Sequence, residues 1–215
     1  MLPKKVFSVI FLVFLIAACA GTPVRQALKE DIRVLPGKIE GNQYAGIRYP
    51  FNVSVPPNWR MTTEFPDFLK DLGYDKPSPT DKEQTELYVF NPETKSNIQF
   101  DFTPAGRYSV FSQESIERLT TMATGSFNEE FEKDYGKEVK AEISPTRPFS
   151  LKGVPFAAKK YATYTLKGVK REQGWIYGFS EPYQIFILYV ILEKEGANDR
   201  EVMKEILESF EILSK

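Results

Sequence analysis

The chain contains no histidine and a single cysteine, and these two counts limit the chemistry that its side chains could perform. Without histidine, Ser–His and Cys–His catalytic pairs cannot form, and zinc, copper and haem sites lose their most common ligand. The 215 residues also contain no Gly-x-Ser-x-Gly elbow, no Walker A loop and no dinucleotide-binding fingerprint. We therefore expect a protein that is not an enzyme and that binds no cofactor.

Carboxylates are the remaining candidates for chemistry. The densest cluster consists of Glu129, Glu130, Glu132 and Asp134. Since this cluster falls on a predicted helix, we interpret it as a solvated helix face. The EF-hand pattern is missing, so no metal site is predicted, although a weak surface calcium site stays open. A histidine-free hydrolase stays open as well, and it would require two buried acids facing each other in a cleft.

The N-terminus has the pattern of an export signal. Two lysines precede an apolar run of 13 residues, Val6–Ala18, which is shorter than the ~20 residues that span a bilayer and matches the apolar region of a secretory signal. The run ends in LIAAC at 15–19, which resembles the lipobox of bacterial lipoproteins. We predict a signal peptide at 1–18, cleavage between Ala18 and Cys19, and a diacylglyceryl group on Cys19.

This anchor predicts a location in the bacterial cell envelope. Two or more acyl chains hold a protein stably at a membrane. Ala20, and not Asp, follows the cysteine, which under the enterobacterial sorting rule implies the outer membrane, facing the periplasm. The alternative is an ordinary signal peptide that happens to contain a cysteine. Residues 19–43 are polar with several prolines and glycines, so we predict a lipidated cysteine and flexible tether there and a folded domain at 44–215.

The composition is that of a folded domain without affinity for nucleic acid. Hydrophobic residues make up 42% of the chain, and 28 basic residues balance 29 acidic ones, so no broad basic field is present. In the first half of the chain, the hydrophobic pattern predicts a strand at 47–55 interrupted by Pro50, a buried Trp59, a short helix at 64–72, an exposed loop at 73–86 and a hairpin of strands at 87–90 and 98–103. In the second half, it predicts a long helix after Ser112, strands at 139–143, 157–166, 173–179 and 183–192, a helix capped by Asn198 and a short strand at 210–213.

The long helix is the clearest of these elements. Ser112 is a predicted N-cap and Gly136 a predicted C-terminal stop. Its apolar stripe comprises Ile116, Leu119, Ala123, Phe127, Phe131 and Tyr135. We expect Gly125 to be a close-packing position. The element order predicts an α+β fold in which a central antiparallel sheet is flanked by amphipathic helices.

Several segments resemble the PsbP-like family. The stretch YAGIRYPFNVSVPPNW at 44–59 is similar to the opening strand of that family, and the likeness continues through the helix after Ser112, Gly153-Val-Pro and ESFEIL at 208–213. The resemblance implies an α/β/α sandwich used for docking and assembly, a plan shared by DcrB-like bacterial lipoproteins. The metal-associated histidines of photosynthetic members have no counterpart here, so photosystem binding is not implied.

Aromatic residues with lysines nearby are concentrated in the second half of the chain. Tyr161, Tyr164, Trp175 and Tyr177 are candidates for a partner-binding surface, if exposed. Packing within the fold is the favoured alternative for these side chains. The pattern as a whole predicts a lipid-anchored envelope protein that binds a protein partner or supports an envelope assembly. The alternative is a periplasmic carrier of a small apolar ligand held between sheet and helix.

Overall fold

The computed structural model describes residues 36–76, 84–105 and 111–213. The predicted signal peptide, its cleavage site and Cys19 lie outside the described residues, as does most of the predicted tether. The predicted strands and helices occur in the predicted order, and short strands at 37–40, 43–46, 60–62 and 147–148 are additional. The strands are β1 (Gly37–Glu40), β2 (Gln43–Gly46), β3 (Phe51–Ser54), β4 (Arg60–Thr62), β5 (Gln84–Phe90), β6 (Asn97–Pro104), β7 (Glu142–Ile143), β8 (Arg147–Pro148), β9 (Phe156–Leu166), β10 (Val169–Ser180), β11 (Tyr183–Leu192) and β12 (Glu211–Ile212); the helices are α1 (Phe68–Asp71), α2 (Gln113–Tyr135) and α3 (Asp199–Ser209).

The large sheet is antiparallel and has the strand order β4-β5-β6-β11-β10-β9-β7, with β8 also paired to β9. Strands β9, β10 and β11 are its longest members and follow one another as a meander. The turn between β9 and β10 is made by Lys167 and Gly168, which both have positive φ angles. The central position of β11 confirms the prediction from its apolar sequence.

A second, smaller sheet has the order β1-β2-β3-β12, whereas the sequence predicted a single sheet. Only residues 51–54 of the predicted strand at 47–55 form a strand, β3, because residues 47–50 make a bend that ends at Pro50 and separates β3 from β2. The predicted boundary at residue 44 also differs from the structure, because residues 37–46 form the β1–β2 hairpin. Gly41 supplies the positive φ of 59° in its two-residue turn.

Helix α2 covers one face of the large sheet. Its N-terminus has a capping box in which Ser112 and Ser115 bond to each other's backbone N–H groups, which confirms the predicted cap. Ile116, Phe127 and Phe131 of the predicted stripe are buried. The predictions for two other positions are wrong: Leu119 is 37% exposed, and no atom would contact a Cβ at Gly125. Buried Thr120 takes the place of Leu119 in the stripe.

The opposite face of the large sheet packs against the small sheet and α3. Four phenylalanine rings join these layers, with centroid separations of 4.6 to 6.0 Å: Phe51 of β3, Phe100 and Phe102 of β6, and Phe210 after α3. Trp59 is buried in the same cluster, as predicted. Asn198 is at the N-cap of α3, but its side chain makes no capping hydrogen bond. The fold is therefore α+β, as predicted, with a small sheet in addition to the expected helix on this face.

Candidate partner-binding surface

Two of the four predicted partner-binding residues are buried beneath helix α2. Tyr164 and Trp175 pack with Phe127 and Phe131 in one hydrophobic cluster. The indole N–H of Trp175 donates to the Thr120 carbonyl oxygen at 2.9 Å, and its ring stacks on Phe127 at 5.3 Å. Burial raises the pKa of Tyr164 to about 12. Tyr164 and Trp175 therefore follow the favoured alternative, packing within the fold, because helix α2 covers them.

Tyr177 is half-buried on the same face of the sheet. Its ring packs against Phe186 of the neighbouring strand with a centroid separation of 4.8 Å. The structure thus places Tyr177 in cross-strand packing, which was the favoured alternative for the aromatic set.

Tyr161 is the one predicted residue that reaches solvent on the other face of β9. Its side chain is 37% exposed. Since side chains alternate along a strand, Tyr161 and Tyr164, three residues apart, point to opposite faces. Tyr161 shares its face with Lys159, Thr163 and Thr165 of β9 and with Lys170 of β10. We call these five residues the β9–β10 patch.

Lys159 is held in place by aromatic rings. Its Nζ lies 4.7 Å from the centroid of the Tyr189 ring, 5.6 Å from that of Phe149 and 5.9 Å from that of Tyr161. These distances are in the range of cation–π contacts. Burial lowers the pKa of the Lys159 ammonium, and the negative charge of Glu172 acts in the opposite direction. The patch therefore presents a positioned cation beside an exposed ring.

A hydrogen-bond network that begins at buried Glu172 and reaches the surface at Arg200 holds the Tyr189 ring in place. The Tyr189 hydroxyl donates to Glu172 Oε1 at 2.7 Å, and the Arg200 guanidinium bonds to Glu172 Oε2. Arg200 also donates to Glu193 Oε1 at 2.9 Å, so the first turn of α3 is tied to strand β10 through Glu172 and to the end of β11 through Glu193. The hydrogen bond with Glu172 raises the pKa of Arg200. Gly174 permits this arrangement, because a Cβ there would overlap the Tyr189 ring.

Glu86 is a second buried acid, although the sequence predicts an exposed loop at 73–86. That prediction is wrong for this residue, because β5 begins at Gln84 and Glu86 is 1% exposed at a bulge in that strand. Arg48 Nε lies 3.4 Å from its carboxylate, whose two oxygens have no hydrogen-bond donor within the described ranges. Burial raises the pKa of Glu86 to about 7. The bulge that turns Glu86 inward has no signature in the local sequence.

The remaining carboxylates do not assemble a site. Glu129, Glu130, Glu132 and Asp134 are all exposed on α2, which confirms their interpretation as a solvated face. Across 36–76, 84–105 and 111–213, no group of three acidic, histidine or cysteine side chains could hold a metal ion. None of the helices described there is long and apolar enough to cross a membrane.

Two grooves on the surface of the described residues bear on the ligand-carrier alternative. One has a volume of about 320 Å³ and runs over the small sheet between Lys38, Gln43, Asn52 and Ser209. The other has a volume of about 340 Å³ and lies beside the start of α2, lined among others by Phe111, Leu119 and Met122. Neither of these two grooves lies between the large sheet and a helix, where a carried ligand was expected.

The fold defined by these layers is PsbP-like. The chain is similar to the solution structure of the cyanobacterial PsbP protein CyanoP from Synechocystis sp. PCC 6803, with a TM-score of 0.53, 8% sequence identity, and coverage of 85% of this chain and 96% of that one. It also matches the crystal structure of LpqN, a protein involved in cell envelope biogenesis of Mycobacterium tuberculosis, with a TM-score of 0.49, 14% identity, and coverage of 83% and 86%. No protein-family model matches the sequence, and no curated protein matches it either. The CyanoP match confirms the predicted fold.

Proposed function

We propose that this protein is a bacterial lipid-anchored envelope protein whose PsbP-like domain binds a protein partner through the β9–β10 patch without catalysing a reaction. The observation that carries the proposal is Tyr161, an exposed aromatic ring beside the Lys159 cation, which also packs on the Tyr189 and Phe149 rings. Exposed tyrosines are enriched at protein interfaces, where they provide a large contact area for little loss of conformational freedom. The lipobox-like LIAAC at 15–19 supports the anchor on Cys19.

The patch is suited to a partner with acidic side chains. Lys159 contributes positive charge, while Thr163 and Thr165 offer hydroxyl groups for hydrogen bonding. Lys170, whose Nζ lies 3.3 Å from Glu193 Oε2, is already ion-paired. The Lys159 ammonium has already lost part of its hydration, as its lowered pKa indicates. An incoming carboxylate therefore displaces less water from it than from a fully solvated lysine.

Anchoring and recognition act together in this proposal. A diacylglyceryl group on Cys19 confines the domain to one membrane surface, proposed to be the periplasmic face of the outer membrane. Confinement raises the effective concentration of the patch for a partner in the same membrane layer. A patch of modest affinity is then sufficient for an envelope assembly.

Site-specific photocrosslinking in cells tests the partner directly. A photoreactive residue in place of Tyr161 is expected to yield a discrete protein adduct, whereas the same residue in place of Met122, which is 67% exposed on α2, is not. Truncation Tyr161→Ala is expected to weaken binding to the captured protein about tenfold or more, as for a residue that anchors an interface. Equal adducts at both positions, or none at position 161, would contradict the proposal.

A second candidate function is the binding of a small apolar ligand. The groove beside Phe111, Leu119 and Met122 supports it, since its volume of about 340 Å³ falls in the range of small-molecule sites. Mass spectrometry of the protein extracted from membranes is expected, under this alternative, to detect a bound apolar molecule that Leu119→Glu removes. Retention of that molecule by the Leu119→Glu variant would exclude this groove.

A further inference from the structure

Strand β1 is at the edge of the small sheet, and no described strand is bonded to its outer side. Its four residues read GKIE, of which the last three are exposed, and Ile39 has 39% of its surface accessible. An unpaired edge that carries an exposed isoleucine is a template for pairing with another strand.

Two hydrogen bonds show which way the backbone groups of the neighbouring strand β2 point. The N–H of Val55 donates to the Asn42 carbonyl oxygen at 2.9 Å, and the N–H of Ile47 donates to the Pro36 carbonyl oxygen at 2.8 Å. Val55 follows β3 and Pro36 precedes β1. Because the groups alternate along an antiparallel strand, even-numbered residues of β2 bond towards β3 and odd-numbered ones towards β1.

The same alternation assigns the backbone groups of β1. Gln43 lies opposite Glu40, and Ala45 lies opposite Lys38. Glu40 and Lys38 therefore bond to the odd-numbered residues of β2. Ile39, which lies between them, directs both its N–H and its C=O to the open side of the strand.

The charges on β1 are self-complementary. Lys38 and Glu40 flank Ile39 with their side chains on one face, and in the described part of the chain neither makes an ion pair. If a second copy pairs antiparallel with Ile39 opposite Ile39, each Lys38 lies opposite Glu40 of the other copy. This pairing forms two cross-strand pairs of opposite charge, an isoleucine contact and two backbone hydrogen bonds at the centre.

We propose that two copies of this protein pair through their β1 edges, joining their small sheets into one. The inference rests on the proposed anchor, because a strand pair of four residues buries less than the ~1,000 Å² expected of a stable interface in solution. Confinement of both copies to one membrane leaflet raises their effective concentration, so that a contact too weak to hold a dimer in solution can form there. The two-fold axis of such a pair is perpendicular to the sheet, so both copies present the same outer face to one side, as two chains anchored in one leaflet require.

Disulfide crosslinking of the full chain in bacterial membranes tests the contact. Ile39→Cys is expected to form a covalent dimer on mild oxidation, since directly opposed hydrogen-bonded residues have Cα atoms about 5.5 Å apart, within disulfide range. Ile47→Cys is the matched control, because this isoleucine is 50% exposed but lies beyond the strand. The chain without an added cysteine reports any dimer formed through an unmodified Cys19. The pairing is overturned if Ile39→Cys yields no more dimer than Ile47→Cys.

Charge reversal tests the register. In the Ile39→Cys background, Lys38→Glu and Glu40→Lys each place like charges opposite each other, and each is expected to reduce the dimer yield about tenfold. Mixing the two reversed chains in one membrane is expected to restore the yield, which a folding defect could not explain. A yield that is insensitive to reversal, or one that mixing does not restore, overturns the proposed register.

Fatty-acid labelling of the same samples separates this inference from the proposed anchor. A labelled chain without a position-39 dimer overturns the pairing and leaves the anchor in place. A dimer on an unlabelled chain supports the pairing and overturns the anchor. A thiol at position 39 that resists maleimide and forms no dimer shows that another segment, from this chain or from another protein, covers the edge; this result also overturns the pairing.

Discussion

Glu86 is in a position where its ionised form is unfavourable. The side chain is 1% exposed, and Arg48 Nε lies 3.4 Å from its Oε1 atom. The desolvation free energy of the buried carboxylate is larger than the favourable electrostatic energy of its interaction with the partly exposed Arg48. Burial therefore raises the pKa of Glu86 from 4.5 to about 7. This residue makes the stability of the domain depend on pH near neutrality.

The sign of that dependence follows from linkage. Between about pH 4.5 and about pH 7 the folded chain holds a proton on Glu86 that the unfolded chain has released. The contribution of Glu86 to the free energy of unfolding is therefore greatest below about pH 4.5 and is lost as the pH rises through about 7. We expect Glu86→Gln to abolish this pH dependence. Over the whole range, the contribution of Glu86 to the free energy of unfolding changes by about 3 kcal/mol.

Urea unfolding of the wild type and Glu86→Gln at a series of pH values between 4.5 and 8 measures this slope. Glu129→Gln is the control, because Glu129 is exposed on α2 and its loss should leave the slope unchanged. Parallel profiles for wild type and Glu86→Gln would show that the carboxylate is not buried as the structure indicates.

At the scale of single residues, sequence pattern predicted side-chain alternation but not which face of the sheet is covered. Tyr161 and Tyr164 were both candidates for a partner surface, and their spacing of three already requires opposite faces. Helix α2 decides between them by packing on Tyr164 and leaving Tyr161 exposed. That choice depends on contacts between segments far apart in the chain, such as the hydrogen bond from Trp175 to Thr120.

Both ends of helix α2 were predicted at the residues where they occur, because end signals are local. The Ser112 hydroxyl accepts a hydrogen bond from the Ser115 N–H at 3.2 Å, and the Ser115 hydroxyl accepts one from the Ser112 N–H at 2.8 Å. Each bond satisfies a backbone donor that the helix itself leaves unpaired. The cap thereby fixes the start of the element that covers the large sheet.

Ser112→Ala is expected to lower the free energy of unfolding by about 1 kcal/mol, because the Ser115 N–H loses its acceptor. Thermal or urea unfolding measures the change. Ser126→Ala, an exposed position within the same helix, should have almost no effect. Equal stability of Ser112→Ala and wild type would show that the capping hydrogen bond contributes nothing.

The inward stripe of the same helix was predicted less accurately. Positions 119 and 120 are adjacent on the helix surface, and apolar spacing favoured Leu119. In the structure Thr120 is buried, with its hydroxyl donating to the Ile116 carbonyl oxygen at 2.8 Å. A polar side chain can occupy this core position because the helix backbone supplies its acceptor, and the rotation of the helix against β9 and β10 then leaves Leu119 exposed.

For the whole molecule, the proposed membrane anchor depends on Cys19. Cys19→Ala is expected to abolish fatty-acid labelling, since the thiol is the acceptor of the lipid. Metabolic labelling with a radioactive or clickable fatty acid measures this effect. A conservative exposed substitution such as Met122→Ala should leave labelling intact, and a label that persists in Cys19→Ala would refute the proposed lipidation.

The local signals of this sequence determined its elements, because turns, caps and hydrophobic periodicity act over a few residues. Ser112, Gly136 and the apolar run of β11 are examples, and together they specified an α+β chain order. Only tertiary packing decided that residues 37–46 join a second sheet, that Glu86 turns inward, and which aromatic residues remain accessible. Those outcomes depend on contacts between segments that are far apart in the sequence. Whether a side chain is buried is decided by all of the segments that pack over it, and a local sequence pattern does not contain that information.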